Sequence, residues 1–245
     1  MNGVRKMVHK VTEETFMTNK KGKRVAYLST YDISLKNFKS ISLDGEEIGE
    51  RLFAFDLLEY EGQSLRSLGY AARYDTLKNI NFTSSSNITV IELAIGYKQK
   101  KAMYDRLKAE GKEGIVFKKL DASFTAGKGH GCMFKCKFYS TVSVRVCKGR
   151  EGKRSIGMEL FDGTQWIPVG NCTLPSDKTV VPSVGSISEI RYLYAYKGGS
   201  LYQPTYLGPR DDVDADECLI NQLKYKPDEE VFNSCNNLTK SKEIC

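Results

Sequence analysis

Apolar and polar positions change their rhythm along this chain, and the change predicts where it divides. Residues 3–9, 24–29, 52–58 and 87–94 are short runs of strand-forming residues. Residues 64–80 instead set Leu65, Leu68, Ala72 and Leu77 at helical spacing. Residues 98–110 predict a second helix, with Gly111 as its stop. Its basic face reads first as a solvated surface. Residues 1–139 therefore mix helix and strand.

From Thr141 the period becomes two. Val142, Val144 and Val146 alternate with polar residues, and so do Ile156, Met158 and Leu160 after a turn over residues 148–153. Residues 166–169 form another short strand. Residues 187–196 alternate throughout and stop at Gly198-Gly199. Residues 201–207 are broken by Pro204, which predicts an edge strand. Short strands between glycine turns suit a small antiparallel barrel such as an OB-fold, over residues 140–213. The boundary is expected near Tyr139 and Ser140. Residues 214–245, acidic and poor in apolar residues, are expected to be a flexible tail.

Composition adds limits. The chain has 245 residues, room for two domains of ordinary globular make-up. No apolar run approaches the ~20 residues of a bilayer span. Residues 1–10 carry no signal-peptide core. The cysteine count is seven, odd and without zinc spacing, which points to reduced thiols in the cytoplasm. With only His9 and His130, a histidine triad is not expected. The net charge of +7 is uneven: residues 1–139 hold 24 Lys and Arg against 16 Asp and Glu. That excess favours an anionic partner, although solubility alone would also account for it.

The charge has a focus. Glu113-Gly-Ile-Val-Phe-Lys118 is followed closely by Phe134-Lys-Cys-Lys-Phe138. Alternation puts Lys135 and Lys137 on one strand face, with Phe134, Cys136 and Phe138 expected behind it. One acid and three lysines suit a triphosphate and its metal. An exposed amphipathic strand is the plainer reading of either segment alone. Four further segments accompany them: Asn2-Gly-Val-Arg5; Leu43-Asp-Gly-Glu46, where glycine is read as a tight turn presenting a carboxylate; Phe53-Ala-Phe-Asp-Leu-Leu58; and Pro204-Thr-Tyr-Leu-Gly-Pro-Arg-Asp-Asp212.

In that order, the six segments resemble the ATP-dependent DNA ligases of the covalent nucleotidyltransferase superfamily, over the chain from Met1 to about Val213. The resemblance implies an α+β fold: an ATP-grasp-like adenylation domain with antiparallel sheets at 1–139, then an all-β OB-fold domain at 140–213. It implies nick sealing in duplex DNA through enzyme-AMP and DNA-adenylate intermediates, in repair, replication or recombination, by a monomer using ATP and Mg²⁺ or Mn²⁺. Arg5 would contact ribose or phosphate, Glu46 would bind ribose and help hold metal, and Phe55 would stack on adenine. Glu113 would coordinate the metal. Lys118, Lys135 and Lys137 would neutralise phosphate. Arg210 and Asp212 would orient pyrophosphate. An RNA ligase or capping-type guanylyltransferase of the same superfamily, and a catalytically dead nick-binding protein, stay open as alternatives.

Three positions depart from the family. Lys20 stands where arginine is usual, keeping charge but not the fork. Val213 stands where the last segment normally ends in lysine. The family's nucleophilic lysine lies two residues before the Asn-Gly of the first segment, so it is expected just before Met1, as in a truncated product or misplaced start. Lys6 is expected to lie too far along its strand to replace it.

Overall fold

The computed structural model describes residues 3–82, 86–127, 131–176 and 181–227. The fold is α+β. The chain forms two compact units: Met1–Leu107 with Gly114–Cys136, and Lys108–Glu113 with Lys137–Cys245.

The first unit is built on β1 (Val4–Val11), β2 (Glu14–Asn19), β3 (Arg24–Val25), α1 (Thr30–Leu35), β4 (Ser40–Ile48), β5 (Arg51–Tyr60), β6 (Gln63–Ser64), α2 (Tyr70–Lys78) and β7 (Ile88–Val90). Its sheet runs in the order β3-β2-β1-β4-β5-β6, all antiparallel, with β7 added parallel to β5. Alternation along β4 puts Ile41 and Leu43 on the core face and Ser42, Asp44 and Glu46 on the other. Val8, Leu52, Ala54 and Leu57 join that core, with Tyr31 and Leu35 of α1 and Tyr70, Tyr74 and Leu77 of α2.

The core positions of β5 switch from even to odd numbers between Ala54 and Leu57. The pairing explains the switch: Asp44 faces Asp56 while Gly45 faces Ala54, leaving Phe55 as an extra residue. Such a bulge re-aims the residues that follow it. It turns Asp56 onto the polar face, opposite Asp44.

After β7 come α3 (Tyr97–Ala109), β8 (Gly114–Lys118) and β9 (Met133–Lys137). α3 ends where Gly111 takes φ +67°, as a helix stop requires. α2 is shorter than its apolar spacing predicts: Gly69 is extended at φ −61°, ψ 154°, so the helix begins after it. Strands 24–29 and 87–94 shrink to two and three residues. β8 and β9 form a two-stranded sheet of their own.

Among its described residues from Lys137 onward, the second unit is all β apart from short turns of 3₁₀ helix. Its strands are β10 (Ser140–Cys147), β11 (Ser155–Phe161), β12 (Trp166–Thr173), β13 (Ile187–Tyr192), β14 (Tyr194–Ala195), β15 (Leu201–Tyr202) and β16 (Thr205–Pro209). Five of them make an antiparallel sheet in the order β12-β11-β10-β13-β16, and β14 pairs with β15. The alternating Val142, Val144, Val146, Ile156, Met158 and Leu160 all enter its core.

The flexible tail expected from residue 214 is corrected for residues 214–227. Cys218 and Leu223 are buried in the same core, and Lys226 N donates to Ala195 O at 2.8 Å. Two well-placed apolar residues anchor a segment whose average composition is polar. The rest of the expected tail, 228–245, lies outside the described residues.

Candidate functional site

Two carboxylates stand opposite each other in the first unit, Asp44 on β4 and Asp56 on β5. Like charges so placed repel. Each is held by its own guanidinium. Arg5 on β1 donates from Nε to Asp44 Oδ1 at 3.0 Å and from Nη2 to Oδ2 at 2.5 Å. Arg73 on α2 donates from Nε and Nη2 to Asp56 at 2.8 and 2.9 Å, and from Nη1 to Leu68 O and Ala122 O. Burial, offset only in part by Arg5, raises the Asp44 carboxyl above its ordinary value.

Lys118, at the end of β8, brings a third cation. Its Nζ is 4.0 Å from Asp56 Oδ2, 4.5 Å from the centre of the Phe55 ring and 4.1 Å from that of Tyr70. The side chain is only 14% exposed. Burial lowers its ammonium from 10.5 to about 8, against the pull of Asp56 and Asp44. Three cations thus meet two buried carboxylates, with Arg5 about a third exposed and Lys118 mostly buried, an arrangement suited to receiving an anion.

Glu46 lies on the same polar face and accepts a hydrogen bond from Gly3 N at 3.1 Å. The glycine in Asp44-Gly-Glu46 is not in a turn. It lies within β4, where an added Cβ would be 2.8 Å from both Leu52 Cδ1 and Phe53 O. Close approach of β5 demands it, which corrects the turn expected from sequence. Asn2, of the first segment, lies outside the described residues.

Lys6 and Lys10 are otherwise engaged. Alternation turns Lys6 to the face opposite Arg5, and its Nζ is 3.8 Å from Glu47. Lys10 Nζ donates to Leu35 O and Lys36 O at 3.1 Å each, where its charge also suits the end of α1. Lys20 is exposed in the turn between β2 and β3.

Along β9, Lys135 is exposed, Phe138 just beyond the strand is buried and Phe134 is 65% exposed. The expectation that Phe134 backs the lysines is therefore corrected: a sheet of two strands gives it no core to enter. In the second unit Lys137 Nζ contacts Glu113 Oε1 at 2.9 Å and donates to Gln203 Oε1 at 3.0 Å. Burial works to lower the Lys137 ammonium, and the Glu113 contact more than offsets it. Arg210, following β16, donates to both oxygens of Asp212 and from Nη1 to Glu189 Oε2 at 2.9 Å. Asp212, then Glu189, raise its pKa. Val213 packs against the core of its unit.

Among the described residues, no group of three or more His, Cys, Asp or Glu side chains converges on a metal position. A Mg²⁺ ion needs no such cage, since it commonly takes one or two carboxylates together with substrate phosphates. Glu46, on the polar face of β4, is a carboxylate of the kind that mode uses. Asp44, Asp56, Tyr70 and Arg73 were not among the residues singled out from sequence. Asp56 was signalled by a charge inside a strand-like run, Asp44 by its place in the segment read as a turn, and Tyr70 and Arg73 by an aromatic and an arginine three apart on a helix.

The class so defined is an α+β unit whose polar sheet face carries two buried carboxylates, each held by an arginine, with Lys118 beside them. The ATP dependent DNA ligase domain matches residues 12–137, just over half of the chain, and the chain belongs to that family. Arg5, Arg210 and Asp212 lie outside the matched span. No curated protein sequence matches it. Among solved structures it is similar to one of the Lig E DNA ligases, with a TM-score of 0.62 and 15% identity over 85% of this chain and 89% of that one. It is similar also to mycobacterial DNA ligase D complexed with ATP and MES, with a TM-score of 0.50 and 20% identity over 91% and 90%. Pmar-Lig_PreS3 gives 0.66 and 18% over 86% and 62%. At these identities the likeness is one of fold.

Proposed function

We propose that this chain is an ATP-dependent DNA ligase that seals nicks in duplex DNA, with residues 140–213 acting as an OB-fold domain. The observation that carries the reading is Lys118, a buried ammonium beside Asp56 inside the span that matches the ligase domain. In this reading Arg5 and Lys118 bind phosphate oxygens, and Lys135 and Lys137 add positive charge for the developing negative charge. Phe55 offers a ring for adenine. Glu113 and Glu46 would hold a divalent ion, Mg²⁺ or Mn²⁺, which would supply further charge stabilisation at phosphate. Arg210 and Asp212 would face pyrophosphate. The protein would act as a monomer in the cytoplasm, in keeping with five described cysteines that stand outside any disulfide.

The test uses a nick already carrying 5′-AMP, since joining it needs no lysine nucleophile. The expected result is sealing by the wild-type chain, lost on adding a chelator and much slowed, though still measurable, in Lys118→Met. Retained nick binding without sealing would favour a binding protein. Sealing confined to RNA ends would favour an RNA ligase.

A further inference from the structure

The segment after β8 is fastened to the start of α2. Ala71 N donates to Leu120 O at 2.8 Å, Phe124 N to Arg66 O at 2.8 Å and Arg73 Nη1 to Ala122 O at 3.1 Å. Gly69 makes this approach possible: a Cβ there would lie 3.0 Å from Leu120 O and 3.1 Å from Asp121 Cα. Tyr70 and Arg73, one helical turn apart, both reach β5. Tyr70 Oη donates to Phe55 O at 2.9 Å, and Arg73 grips Asp56. The same Tyr70 ring faces the Lys118 ammonium, with Phe55 supplying a second ring.

We infer that Tyr70 is a positioning residue for Lys118: its ring, packed in the core of its unit beside β5, fixes the ammonium where a phosphate oxygen is to be met. The inference rests on the phosphate-binding role proposed for Lys118. A free lysine chain has several rotors to freeze when it meets a ligand, and a cation held between two rings has lost that freedom beforehand. Tyr70 thus acts through Lys118 and touches no reacting atom. The helix supplies the precision, since its first turn sets both the ring and the backbone just beyond Lys118.

The experiment is single-turnover sealing of the adenylylated nick by Tyr70→Phe, Tyr70→Leu, Lys118→Met and the double variant Tyr70→Leu/Lys118→Met. Tyr70→Phe keeps the ring and is expected within about twofold of wild type, whereas Tyr70→Leu slows sealing about tenfold, the size of one desolvated cation–π contact. In the Lys118→Met background Tyr70→Leu has no further effect. A loss of equal size in both backgrounds, or equal damage from Phe and Leu, overturns the inference. Because Tyr70 is a core residue, a second measurement uses the wild-type fold. In protein labelled with ε-¹³C lysine, the Lys118 signal, identified by its absence in Lys118→Arg, is expected upfield from ring currents. An ordinary lysine shift overturns the inference. If wild type fails to seal the adenylylated nick, the ligase reading falls, and the lysine signal still decides whether Tyr70 holds Lys118.

Discussion

Arg73 and Asp56 face each other through two parallel hydrogen bonds of 2.8 and 2.9 Å, with both side chains almost wholly buried. A pair so buried gives little net stability, but losing one partner strands the other's charge. Arg73→Met is therefore expected to destabilise the fold by about 3–5 kcal/mol in chemical denaturation. Arg73→Lys is expected to recover only part of this, because an ammonium cannot reproduce the fork. Asp56→Asn combined with Arg73→Met should be milder than Arg73→Met alone. Equal losses in both would show that the carboxylate charge is not what the arginine compensates.

Lys118 titrates low in the folded chain, about 8 against an ordinary 10.5. The unfolded chain therefore binds more protons between those values, so stability rises with pH across that window. Below pH 8 the cost of the buried charge is felt in full, up to about 3 kcal/mol. Lys118→Met removes it. The stability advantage of Lys118→Met over wild type should thus be greatest near neutrality and shrink from pH 8 to 10. Sealing should move the opposite way, falling above pH 8 as free enzyme loses the charge that meets phosphate. A wild-type difference from Lys118→Met that is flat with pH would contradict the assignment.

Gly45 is required by space. A Cβ there would meet Phe53 O at 2.8 Å, and a backbone oxygen of the neighbouring strand cannot swing aside. Gly45→Ala is expected to cost about 1–3 kcal/mol, as overpacking does, and to lower sealing through the displaced Asp44 and Glu46. Thermal melting of the variant checks the first part and the nick assay the second. A variant as stable as wild type would mean that the strands separate freely at this point.

These residues show what a one-dimensional reading can reach. Val142, Val144 and Val146 were legible as a strand because alternation states both period and buried face. The lysines and acids singled out stand in ordered motifs, and of them the structure sets Lys118 beside the buried Asp56. Asp56 was not legible, since its place on the polar face depends on the bulge at Phe55, and a bulge is set by pairing with a distant strand. Gly45 was misread for a similar reason. A glycine signals either a turn or a close approach, and only the partner strand says which. Phe134 was assigned a core that a two-stranded sheet does not provide, and Cys218 and Leu223 were lost in a polar average although each fills a defined place.

Lys135 offers a separable test of nucleic-acid binding. It is exposed on β9, and its charge enters no described ion pair, so removing it should not harm the fold. Each lysine that neutralises a phosphate releases a counterion, which makes affinity fall with salt at a slope of about 0.9 per contact on duplex DNA. Lys135→Ala is therefore expected to reduce that slope by about one and to weaken nicked-duplex binding alike on unrelated sequences, with melting unchanged. The same measurement on Lys137→Ala should be less simple. Its loss also frees Glu113, whose negative charge would then repel phosphate, so binding should fall further than the slope alone accounts for. Titrations of both variants from low to moderate salt separate the cases. If Lys135→Ala leaves the slope unchanged, β9 does not face the DNA backbone.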